Sequence, residues 1–227
     1  MNLRWVLFDY ADTLAEIVPS KNLQVISFLR EIGWGIEPDM KEVAKAFSIT
    51  EEQFTISSIM EISKEAHRLF YLEFNRELFS NLGITNADVP LMFYDYISTE
   101  KRSWQLKRDT EPLLRHLFEQ EFKLGLLTNF DVSLKSILKA QGISHYFSAI
   151  QISSEIGLEK PDICFFKKFL FDNDIDVAKS VYLGDNFRLD IEPMIEIGVK
   201  AILLDELGVK NSTNLSISSL WELPAKI

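Results

Sequence analysis

The chain opens on a four-residue apolar run, Trp5-Val6-Leu7-Phe8, that stops abruptly at Asp9. A short apolar run bounded by polar residues predicts a strand buried on both faces. After Leu14 the apolar positions fall at helical spacing for about 90 residues. Pro19-Ser20 opens one helix carrying Leu23, Ile26, Phe28 and Leu29, with its end near Gly33 and Gly35. Pro38-Asp39 opens a second, with Met40, Val43, Ala44 and Phe47 along it. A long helix is predicted from about Ser57 to Leu82, with Ile59, Ile62, Ala66, Leu69 and Phe70 on one face and Gly83 as its cap. A further helical piece over 91–97 precedes a polar segment, 98–108. The many aromatic residues of this block are read as the packing of its own core.

From Asp109 the pattern changes to an alternation of helices and strands. Asp109-Thr110 is read as a cap, with Pro112 in the first turn and Leu113, Leu114, Leu117 and Phe118 inside. A strand over 123–127 ends at Thr128-Asn129, and a helix over 132–141 stops at Gly142. Residues 149–152 predict a strand and 162–171 a helix. Residues 181–183 form a strand ending at Gly184-Asp185, a helix over 190–197 stops at Gly198, and 201–204 is the last clear strand. Such alternation implies an α/β fold with a parallel sheet and right-handed crossovers. The first strand joins that sheet. The expected core is therefore residues 1–14 and 105–227, interrupted by a helical block over 15–104. The tail after Leu207 reads as loop with one final short element.

Charge narrows the partners. The net charge is -10, from 24 basic and 34 acidic side chains, which argues against a nucleic acid. It does not argue against a small anion, because a local cation can invert the field in a pocket. Cys164 is the single cysteine, so neither an internal disulfide nor a multi-cysteine metal site can form. The run before Asp9 is too short for a signal-peptide core, and no window is apolar enough to span a membrane. A cytoplasmic protein with no membrane partner is expected.

The chemistry gathers at strand ends, where ligands bind in open α/β sheets. Asp9 with Thr13, Thr128-Asn129, and Gly184-Asp185 followed by Asp190 all stand there, and Glu159-Lys160-Pro161-Asp162 precedes a helix. Asp9 and Asp185 together make a hard, oxygen-rich site suited to Mg²⁺. Thr128 and strand-end amides can donate to phosphoryl oxygens, and Lys160 supplies a positive charge. Asp9 can then attack phosphorus and form an aspartyl-phosphate. Asp190 is expected to ligate the metal or to orient groups that do.

These residues carry a resemblance. Val6-Leu7-Phe8-Asp9-Tyr10-Ala11-Asp12-Thr13, Leu126-Leu127-Thr128-Asn129, Lys160-Pro161 and Gly184-Asp185-Asn186-Phe187-Arg188-Leu189-Asp190 are similar, in order and spacing, to the four motifs of the haloacid dehalogenase superfamily. The resemblance implies a three-layer Rossmann-like core with a helical cap that selects the substrate. It further implies a Mg²⁺-dependent hydrolase of a small phosphorylated metabolite, with Asp9 as nucleophile. Thr128, Asn129 and Lys160 would bind substrate; Asp9, the Ala11 carbonyl, Asp185 and Asp190 would hold the metal. A monomer or a homodimer fits equally well.

One position departs from the pattern. Phosphatases of the family usually place a second Asp two residues after the nucleophile, to protonate the leaving oxygen; here Ala11 stands there. Loss of a positioned general acid costs about 10²–10⁴-fold. Asp12 is the candidate substitute. Phosphonoacetaldehyde hydrolases resemble the chain in having Ala at that site, but need a cap lysine, for which Lys41, Lys45 and Lys64 are available. The family's dehalogenases also lack the acid, but usually lack an Asp like Asp185. A phospho-ligand binding protein without turnover is the alternative outside enzymes.

Overall fold

The computed structural model describes residues 5–35, 37–54, 64–99, 103–210 and 215–227. Strand β1 (Trp5–Phe8) is followed by β2 (Ala15–Val18) and by helices α1 (Lys21–Glu31), α2 (Met40–Gln53), α3 (Lys64–Asn81) and α4 (Val89–Thr99). Then come β3 (Ser103–Leu106), α5 (Thr110–Glu119), β4 (Lys123–Thr128), α6 (Leu134–Ala140), β5 (Phe147–Ile152), α7 (Ser153–Ile156) and α8 (Ile163–Asp172). The chain closes with β6 (Ser180–Gly184), α9 (Glu192–Ile197), β7 (Lys200–Leu204) and β8 (Ser216–Ile217).

Six strands form one parallel sheet in the order β5-β4-β1-β6-β7-β8. The first strand of the chain is thus central, with β4 on one side and β6 on the other. Phe8 is level with Leu126 of β4 and Leu183 of β6. Side chains alternate across a strand, so the sheet buries two separate layers. Val6, Phe8, Leu124, Leu126, Val181, Leu183 and Ile202 pack against Leu113, Leu114 and Leu117 of α5 and Leu134 and Leu138 of α6. Trp5, Leu7, Leu127, Tyr182 and Leu203 pack instead against Phe165, Phe166 and Phe169 of α8 and Met194 of α9. The result is the expected helix–sheet–helix sandwich. Gly125 lets one of these helices approach closely: a Cβ there would lie 2.7 Å from Leu7 Cδ2 and 2.8 Å from Phe169 Cζ.

The chain divides into two compact units, residues 1–16 with 104–227, and residues 17–103. The second unit has its own core of Val25, Phe28, Leu29, Val43, Ala46, Phe47, Leu78, Phe79 and Phe93. Asp39 caps α2 by accepting from the Lys41 and Glu42 amides, while Glu42 reaches back to the Asp39 N–H.

Several local expectations are corrected. Residues 15–18 and 103–106 pair as a two-stranded sheet where helix and polar loop were expected. Each is only four residues long, and β3 alternates exposed and half-buried positions without an apolar run, so little distinguishes it from loop. β8 is a two-residue strand, below the length at which periodicity exists. Phe118 is half exposed beside Tyr146, because Leu113, Leu114 and Leu117 already fill the core-facing arc of α5. Leu23 and Leu69 are exposed, and in α2 Ala46 is buried where Ala44 is half-buried. Asp109 makes no side-chain cap; the Thr110 hydroxyl donates to the Leu14 carbonyl instead. The helix expected from 190 is a π-helical turn over Phe187–Ile191 that leads into α9. Ile59 and Ile62, with the start of the long helix, lie outside the described residues.

Candidate active site

The site grows from the carboxyl end of β1. Asp9 follows Phe8, which is level with Leu126 on one neighbouring strand and Leu183 on the other. Thr128 and Asp185 each lie two residues past those partners, on either side of it. The Asp9 N–H donates to the Leu183 carbonyl (3.0 Å), so β1 stays paired up to the reactive position. The side chain of Asp9 is buried. One oxygen accepts from the Lys160 ammonium at 2.6 Å and the other from the Thr13 hydroxyl at 3.2 Å.

Lys160 is the hub. Its side chain is 4% exposed, and the ammonium donates to Asp9 Oδ1 and to Asp190 Oδ1, both at 2.6 Å. The Tyr182 hydroxyl donates to the same Asp190 oxygen at 2.7 Å. Asp190 accepts the Asn186 N–H with its other oxygen at 3.1 Å. Asn129 fixes the backbone of Lys160 from both sides, donating to its carbonyl at 2.9 Å and accepting from its N–H at 2.8 Å. The peptide bond from Lys160 to Pro161 is cis.

Electrostatics follow from burial. Removal from water pushes the Asp9 carboxyl up; the Lys160 charge pulls it down, and Asp190 and Asp185 push it up again, to about 7. Burial alone would lower the Lys160 ammonium, but Asp190 and Asp9 outweigh it and hold the group well above the ordinary lysine range. Burial and then the Asp190 charge drive the Tyr182 phenol upward in the same way. Among the described residues one buried hydroxyl stands apart: Thr128 Oγ1 has no hydrogen-bond partner. Buried polar atoms are nearly always paired, so an orphan at the mouth of a strand points to a ligand oxygen.

Asp9, Asp185 and Asp190 offer ligand atoms all within 4.8 Å of one another, the one such acidic group among the described residues. Gly184 makes room for this approach, since a Cβ there would fall 2.5 Å from Asp190 Cβ. Hard carboxylate oxygens gathered this closely suit Mg²⁺. The residues present therefore fit such an ion.

Ala11 and Asp12 lie in the turn after Asp9, both half-exposed. Ala11 bridges to Ala15, and Asp12 takes a left-handed φ of 58° with its N–H donating to the Ala15 carbonyl. A left-handed φ is glycine's conformation, and Asp is among the few side chains that tolerate it. Two contributors escaped the sequence reading. Tyr182 carried a signal, a hydroxyl inside an otherwise apolar strand. Lys210, whose ammonium donates to Asp185 Oδ2 at 3.2 Å, lies in the tail read as loop and carried none.

Residues 6–204 match the model of the haloacid dehalogenase-like hydrolases, and the chain belongs to that family. It is 23% identical to haloacid dehalogenase-like hydrolase domain-containing protein 3 of Danio rerio, over 99% of this chain and 96% of that one. It is 31% identical to a phosphoserine phosphatase of Thermus thermophilus across 107 residues, 47% of this chain and 43% of that protein. Among solved structures it resembles YfnB of Bacillus subtilis, described as a HAD-hydrolase bound to magnesium, with a TM-score of 0.64 at 17% identity over 100% and 99% of the two chains. At that identity the likeness shows the fold, an α/β core with a parallel sheet. No helix among the described residues is long and apolar enough to cross a membrane.

Proposed function

We propose that the protein is a Mg²⁺-dependent phosphatase of a small phosphorylated metabolite that works through an aspartyl-phosphate on Asp9. The observation that carries this reading is the pairing of a buried, tethered Asp9 with the unpartnered Thr128 hydroxyl one residue further along the neighbouring strand. Asp9, Asp185 and Asp190, with the Ala11 carbonyl, would hold the ion. When bound, Mg²⁺ screens the repulsion between phosphate and carboxylate and stabilises charge on the transferring group. The phosphatase named among the relatives supports the reaction class, and the magnesium named for YfnB supports the ion.

The residues then divide the work. Thr13 and Lys160 aim the Asp9 carboxylate, so one of its oxygens can attack phosphorus while the bond to the leaving oxygen breaks. Thr128 donates to a phosphoryl oxygen, and Lys160, oriented by Asn129, balances the charge of the group in flight. The leaving oxygen takes up a proton. Water then attacks the aspartyl-phosphate, releases phosphate and regenerates Asp9.

Ala11 cannot supply that proton, and Asp12 is the acidic side chain next to it. We therefore infer substrates whose leaving group needs little protonation, such as acyl phosphates. Asp185, present and held in place, argues against dehalogenation. The helical unit is assigned the choice among substrates. The test of the covalent step is direct: acid-quench the wild-type protein during turnover of acetyl phosphate radiolabelled on phosphorus and map the label. Label on the Asp9 peptide is expected; turnover with no label on that peptide would remove the covalent mechanism.

A further inference from the structure

Lys210 lies beyond every motif of the site, yet its ammonium is fully engaged there. It donates to the Asp185 main-chain carbonyl, to Asp185 Oδ2 at 3.2 Å and to the Leu204 carbonyl at 3.1 Å. Three donors meet three acceptors, and the cation bridges the ends of neighbouring strands β6 and β7.

The loop that presents Lys210 is itself built. Asp205 follows β7 directly and its N–H donates to the Ile217 carbonyl at 2.8 Å. Its carboxylate accepts the N–H groups of Val209 (3.1 Å) and Lys210 (3.0 Å), folding the loop back on itself. Gly208, at a φ of +65°, allows the reversal, with its N–H directed to the Asp205 carbonyl at 3.3 Å. Glu206 pins the outer side of the loop through the Lys107 ammonium. An exposed lysine on a free loop would sweep a wide volume. This one has its backbone donor held on a carboxylate and its ammonium held on two strand ends.

We propose that Lys210 is a positioning residue for Asp185, fixing its carboxylate and main chain in the orientation that completes the acidic group with Asp9 and Asp190. The inference rests on the metal-dependent reading above. The ion pair is partly exposed, with the Lys210 side chain 24% and the Asp185 side chain 14% accessible, so attraction between the two charges is small. Its contribution is geometric. A carboxylate locked at one oxygen and at its backbone loses little freedom when it becomes a ligand. Removal of partners of this kind lowers metal affinity about 10–100-fold.

The test is calorimetric titration of Mg²⁺ into the metal-free full chain, alongside melting in EDTA. The wild type should bind, Asp185→Asn should bind far more weakly, and Lys210→Met should lose about 10–100-fold in affinity while melting in EDTA near the wild type. Binding by Lys210→Met as tight as by the wild type, or tighter because a competing cation is gone, would overturn the proposal. A Lys210→Met chain that melts lower in EDTA with unchanged Mg²⁺ affinity would also overturn it, by making the residue a strut of the fold. Should Lys210→Met not fold, Asp205→Ala, which frees the loop and keeps the lysine, carries the same expectation with a smaller loss. A wild-type chain that takes up no Mg²⁺ would remove the metal-dependent reading together with this inference, whereas wild-type binding matched by the variants removes the inference alone.

Discussion

Replacing Lys160 with Met tests how the buried charge cluster is held. The side chain keeps its length and loses its ammonium, which bridges Asp9 and Asp190 at 2.6 Å each in a site where all three side chains are 6% exposed or less. Removing one partner of a buried pair costs about 3–5 kcal/mol, because the remaining charges are neither solvated nor compensated. For a chain of this size that corresponds to a melting point lower by about 6–20 °C, at about 2–4 °C per kcal/mol. The loss carries a pH signature. Asp9 already titrates near 7 with the lysine in place, above its ordinary value of 3.8. A carboxyl raised in the folded state contributes stability below its unfolded value and loses it as pH rises through its folded value. Without the lysine that folded value moves higher still, so the gap between Lys160→Met and wild type should widen from pH 6 to pH 8. Melting in EDTA followed by tryptophan fluorescence reads both quantities. A variant within 2–3 °C of the wild type (about 1 kcal/mol), or a gap no larger at pH 8 than at pH 6, would show that the Lys160 charge does not hold the cluster together.

Other perturbations probe separate contacts. Gly184→Ala inserts a Cβ 2.5 Å from Asp190 Cβ, and overpacking of this kind costs about 1–3 kcal/mol; lower Mg²⁺ affinity and a lower melting point should appear together, and wild-type values for both would show that the strand end has slack. Asn129→Ala removes both bonds to the Lys160 backbone, at about 1–3 kcal/mol for the groups left unpaired; kcat should fall with KM little changed, and a change in KM alone would contradict the orienting role. Ala11→Asp restores a general acid and should raise hydrolysis of poor leaving groups by up to about 10²-fold, with little effect on acetyl phosphate. No gain with metal binding intact would mean that Asp12 already serves.

The fold and the site differed in how far the sequence displayed them. β1, β4 and β6 were legible because a strand buried on both faces reads as a short apolar run, and each is followed directly by a polar residue, Asp9, Asn129 or Asp185. The convergence of Asp9, Thr128 and Asp185 follows from that parallel pairing. What stayed hidden depends on short or distant contacts. β2 and β3 are too brief and too exposed to show a period, and Phe118 is apolar without being buried. Lys210 reaches Asp185 through a loop folded by Asp205, an arrangement that no spacing encodes. The backbone conformation of Asp12 was equally hidden. Its left-handed φ is compatible with Asp and demanded by the turn.

The reaction proposed for the site is metal-dependent phosphoryl transfer through Asp9. The most direct measurement is hydrolysis of acetyl phosphate and p-nitrophenyl phosphate by the wild-type protein, with Mg²⁺ and with EDTA, beside folded Asp9→Asn. Both leaving groups are good, so neither substrate depends on the acid that Ala11 lacks. Release that requires Mg²⁺ and falls by about 10³-fold or more in Asp9→Asn is the predicted result. Equal turnover in Asp9→Asn, or turnover indifferent to EDTA, would rule out that chemistry at Asp9.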